Sequence, residues 1–115
     1  MSCLVVLLLL SSMESSADYF SGNDLRKFLD ADATAHSNKD HSMQVAHWSG
    51  VARGYIAGVS DAYNGWGWFC APPNAELDQA VALVARYLKE HPDKWHLPGK
   101  QIVLDTLSSH FPCKR

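Results

Sequence analysis

Apolar residues recur at threes and fours along nearly the whole chain, and no segment alternates as a strand does. The first predicted helix runs from about Asn23 to Ala35, with Ser21 or Asn23 as its cap and Leu25, Phe28 and Leu29 as its apolar stripe. It ends in the polar run HSNKDH, residues 36–41. The second runs from about Ser42 to Tyr63 and repeats Val45, Trp48, Ala52, Tyr55, Ile56, Val59 and Tyr63. NGWGW breaks it and CAPPN follows. Asn74 is the expected cap of a third helix that reaches about Glu90. Its stripe is Leu77, Val81, Val84 and Leu88, with Ala80, Leu83 and Tyr87 alongside. His91-Pro92 stops it, because a residue before proline avoids the helical region. The fourth starts near Pro98 and ends at about His110, turning Ile102, Val103, Leu107 and Phe111 inward. The pattern predicts an all-α fold, a small bundle of about four helices, in a single domain over residues 18–115.

The start of the chain has another character. CLVVLLLLSS is too short to span a bilayer. It reads as the apolar core of a secretory signal, with Ser15 and Ala17 placed for cleavage after Ala17. No Lys or Arg precedes it. Loss of residues 1–17 takes Glu14 away and leaves ten basic residues against eleven acidic ones. That balance argues against nucleic acid or an anionic membrane as partner, since both require a basic face. Cys3 leaves as well, and Cys70 and Cys113 remain. In an exported chain an even pair reads as a disulfide; in a reducing compartment it would read as two unrelated buried thiols.

Within the second helix Ala46, Gly50, Gly54, Gly58 and Ala62 fall four apart and form one strip with almost no side chain. Each glycine costs a helix about 1 kcal/mol relative to alanine, so the strip calls for a closely packed neighbour. That neighbour is the third or fourth helix of the same chain, or the second helix of another subunit. His47, Arg53 and Asp61 rule out the membrane version of this pattern.

Signs of chemistry are weak. His36 and His41, and likewise His91 and His96, stand five apart, which suits neither a helix face nor a metal-ligand spacing. No serine sits in a nucleophile elbow. Asp61, near Tyr55 and Tyr63, reads as a solvated or capping carboxylate rather than a general base. No catalytic residue, metal site or cofactor is expected, and the protein is read as a binder rather than an enzyme. Tryptophan is enriched at binding hot spots, which makes Trp66 and Trp68 candidates for partner contact, together with Trp95, His96 and His41. The competing reading folds Trp66, Trp68 and Phe69 back over the disulfide to complete the core.

The series GYIAGVSDA, FCAP, RYLKEHPDKWHLP and a final FPC resembles the Rap/Tai immunity proteins of type VI secretion, over roughly residues 45–113. The resemblance implies a small helical periplasmic protein, often a homodimer, that binds a peptidoglycan amidase effector and covers its active site. It also implies that Cys70 and Cys113 are the structural cysteines. Relatives often carry a further cysteine where this chain has Ala52. The alternative is a small periplasmic stress chaperone of the acid-stress type, with six histidines adding charge as pH falls through about 6.5.

Overall fold

The computed structural model describes residues 18–37 and 39–114; the expected signal segment lies outside them. Four α-helices follow one another: α1 (Gly22–His36), α2 (Met43–Tyr63), α3 (Leu77–Glu90) and α4 (Gly99–His110). A short 3-10 turn, Pro92–Lys94, links the last two. This is the all-α bundle that the periodicity predicts.

The helix starts follow local chemistry. Ser21 Oγ accepts the Asp24 amide at 3.3 Å, and Asp24 accepts the Ser21 amide at 2.9 Å, so two donors of α1 are satisfied reciprocally. Ser42 caps α2 by accepting from the Val45 amide at 3.2 Å. The start of α3 differs from expectation, because its cap is Glu76 and not Asn74. The Ala75 amide bonds the Pro72 carbonyl at 2.9 Å, which folds Asn74 into a turn ahead of the helix. Gln79 then reaches back and accepts the Glu76 amide at 2.9 Å.

Phe20 meets Tyr55 edge-on and Phe28 stacks on Trp48, so α1 and α2 run in opposite directions as a hairpin. The core between the helices holds Leu25, Phe28 and Leu29 from α1 and Ala52 and Ile56 from α2. Val81, Val84 and Leu88 of α3 and Ile102, Val103, Leu104 and Leu107 of α4 extend it, and Phe69 joins it from the connection before α3. Ala52 is fully buried. Leu77 departs from the expected stripe; as the first residue of α3 it stands at the surface, 37% exposed.

The segment from Trp95 to Gly99 fastens onto the start of α1. Gly22 and Asn23 amides bond the Leu97 and Trp95 carbonyls, each at 2.8 Å, and the Gly99 amide bonds the Phe20 carbonyl at 2.7 Å. The first amides of a helix have no partner within it, and here a neighbouring loop supplies one. Such proximity leaves no room for side chains. A Cβ on Gly22 would lie 2.7 Å from the Trp95 carbonyl oxygen, and one on Gly99 would lie 3.0 Å from both the Phe20 oxygen and the Tyr55 hydroxyl. Gly22→Ala is therefore expected to destabilise the protein by about 1–3 kcal/mol, although alanine is the better helix former. Urea denaturation measures it, and an unchanged midpoint would show that the clasp yields freely. No described helix is long and apolar enough to cross a membrane.

Candidate partner-binding surface

The connection between α2 and α3 is built to hold a fixed shape. Asn64 ends α2 with its amide on the Ser60 carbonyl, and its side-chain oxygen accepts the Ala71 amide at 3.0 Å. The Gly65 amide bonds the Phe69 carbonyl at 2.9 Å, closing a tight loop. Gly65 and Gly67 have φ of 81° and 90°, a region that side chains disfavour, so the alternation Gly-Trp-Gly-Trp is what the backbone demands. Cys70 donates its amide to the Phe111 carbonyl at 2.8 Å and is joined to Cys113 by a disulfide across 4.8 Å between Cα atoms. The loop is thus pinned to the end of α4.

This geometry shows which of the three aromatic residues completes the core. Phe69 points inward and is 1% exposed. Trp66 and Trp68 point outward, 79% and 56% exposed, and Trp68 keeps one edge-on contact with Tyr63. Only Phe69 completes the core.

The other candidates lie elsewhere. Trp95 is half-buried; its indole N–H donates to the Leu88 carbonyl at 2.6 Å and Arg26 covers its ring. It clasps the end of α3 to the start of α1. His96 beside it is exposed. His41 is exposed ahead of the α2 cap, a helix length of about 30 Å from the tryptophan loop. One modest contact patch does not gather all five residues.

Three histidines find a common explanation. His36, His91 and His110 each place ring Nδ1 against the carbonyl four residues back, at 2.8, 2.8 and 2.9 Å. A carbonyl can only accept, so Nδ1 carries the proton. His91 thereby satisfies an orphan carbonyl at the end of α3, while His36 and His110 add a second donor to the Asp32 and Thr106 carbonyls in the last turns of α1 and α4. Their positions at or just past the ends of α1, α3 and α4 were the available sequence signal. Among the described residues no cluster of three or more metal-ligating side chains occurs.

A polar network centred on the buried Asp32 has no signal in the sequence pattern of α2 and α3. Asp32 accepts from Ser49 Oγ at 2.7 Å and from Arg53 Nε at 2.9 Å, and Arg53 continues to Asp78 at 2.6 Å. The Asp78 bond, then Asp32, raises the Arg53 guanidinium pKa further above its ordinary value, against the opposing effect of burial. The network joins α1, α2 and α3 and holds α2 in rotation about its axis. Asp32 continues the stripe of Leu25, Phe28 and Leu29, and a carboxylate on an apolar face is the clue to a buried partner.

That rotation turns the glycine strip outward. A Cβ on Gly50, Gly54 or Gly58 would meet nothing within 4 Å. No other described part of the chain comes into van der Waals contact at these positions, which corrects the expectation of a close intrachain helix contact. Gly54 and Gly58 instead floor an open groove of about 450 Å³, walled by Tyr55, Val59, Tyr63 and Lys100.

No curated protein matches the chain. The model of the Rap1a immunity proteins matches residues 21–113, from the cap of α1 to the second disulfide cysteine. This chain belongs to the Rap1a immunity protein family.

Proposed function

We propose that the protein is a periplasmic immunity protein that binds a peptidoglycan amidase delivered by type VI secretion, occludes its active site and so protects the producing cell. Family membership supports an immunity role against a secreted effector. The observation that carries the binding mode is the pair Trp66 and Trp68, held outward on a loop fixed by two left-handed glycines and a disulfide. Large apolar surface costs solubility unless a partner covers it. A rigid loop also loses little entropy on binding. The apolar run ahead of Ala17 supports export, and export supports the oxidised cysteine pair.

The test is co-expression with each amidase effector encoded by the same genome. Co-purification with one of them and loss of its peptidoglycan cleavage are expected. Failure to bind any would remove the reading, and an acid-dependent gain of dye-binding surface with client protection would replace it with the chaperone.

The open strip supports a homodimer in which α2 meets α2 of a second copy. Gly54→Leu adds a side chain where the single chain has room, so each subunit keeps its fold. Overpacking across two copies is expected to weaken dimerisation about 100-fold. Analytical ultracentrifugation reads the change; a wild-type monomer at all concentrations would overturn the dimer.

A further inference from the structure

A cleft of about 390 Å³ lies between α2, the Pro72–Glu76 connection, α3 and α4. Phe69, Leu107 and Phe111 line its apolar part, and Ala57 and Ala80 leave space beside them. Asp61 and Glu76 stand at its polar edge, and no Lys, Arg or His lines it. Its volume falls within the range of clefts that take ligands, about 300–1,000 Å³.

The electrostatics of this cleft are unbalanced. It opens at the C-terminal end of α2, where the helix dipole is negative and cations are favoured. The last turn of α2 carries no basic residue. It carries Asp61 instead, which makes no hydrogen bond or ion pair with another described residue. An acid at that end costs stability and has no internal partner. Glu76 begins α3, where a negative charge is favoured, so the unbalanced group is Asp61. The Ser60 hydroxyl donates to the Ile56 carbonyl at 2.6 Å, so toward the cleft its oxygen can only accept.

We infer that the cleft receives a lysine or arginine side chain of the protein partner. The methylene stem lies on Phe111, Ala57 and Ala80, which keep exposed surface in the cleft, and the cationic head meets Asp61, the arrangement long basic side chains favour at half-buried sites. The inference rests on the reading of the chain as a binding protein and adds the chemistry that one of its contacts selects.

The test titrates the oxidised protein with a blocked Gly-Arg-Gly peptide and follows amide resonances by NMR. Saturable shifts are expected at Asp61, Glu76 and Ala80. A citrulline peptide of the same shape without the charge should give none. Asp61→Asn, an exposed position that leaves the core intact, should weaken binding about fivefold, the effect of losing one partly exposed charge pair. The inference is overturned by absent shifts, by equal shifts with citrulline, or by unchanged affinity in Asp61→Asn. Free arginine binding as well as the blocked peptide would assign the cleft to a small molecule and overturn it too. No effector enters this titration, so its failure is separable from failure of the amidase co-purification.

Discussion

Cys113→Ser will lower the free energy of unfolding by about 4 kcal/mol. The disulfide spans 43 residues, and closing a loop of that length removes about 4 kcal/mol of chain entropy from the unfolded state. A domain of this size has about 5–15 kcal/mol in total, so the loss is a large share. Its core is thin: of the residues between α2 and α3, Phe69 alone is a buried apolar side chain. The cross-link also joins two segments outside the helices, the 64–76 connection and the tail beyond α4. With the bond gone, the Cys70 amide and Phe111 carbonyl must keep the two together. Guanidinium unfolding with and without reductant measures the effect. The reduced wild-type and the serine variant should share one midpoint, well below that of the oxidised protein. Equal midpoints for oxidised protein and variant would show that the cysteines are not joined in the folded chain.

The four helices were legible because their apolar residues repeat at helical spacing and each is bounded by a capping or breaking residue. Ser21, Ser42 and the His91-Pro92 pair marked boundaries that the structure keeps. Asn74 misled because two consecutive prolines fold the chain into a turn that a capping preference alone does not reveal. The disulfide was legible from cysteine number and position. The direction of the glycine strip was not, since a bare helix face looks the same whether it meets its own chain, another copy or water. What decides it is Asp32 on α1, which draws Ser49 and Arg53 inward and so turns Gly50, Gly54 and Gly58 outward. A long-range polar bond of that kind has no signature in local spacing. Trp95 shows the same limit from the other side. Its loop position and its residue type suggested an exposed anchor, and the carbonyl of Leu88 together with the guanidinium of Arg26 took it into the fold.

Phe69→Ala and Trp66→Ala will separate stability from binding within one loop. The two side chains are three positions apart, yet one is 1% exposed and the other 79%. Truncating the buried ring removes its transfer energy and leaves a cavity beside Leu107, a loss of about 3–5 kcal/mol. Truncating the exposed ring removes little from the folded chain, and stability should stay within about 0.5 kcal/mol. Effector binding should respond in the opposite order. An aromatic anchor at the centre of an interface is worth about 2 kcal/mol or more, so Trp66→Ala should weaken the complex about 30-fold. Phe69→Ala, measured where it remains folded, acts on binding only through the shape of the loop. Denaturant unfolding and calorimetric titration with the amidase give the two readings. If Trp66→Ala costs stability and spares affinity, the loop belongs to the architecture of the domain and the partner is held elsewhere. If it spares stability and costs affinity, the two left-handed glycines and the disulfide are explained together, as the means by which a small domain holds tryptophan in water at a fixed angle.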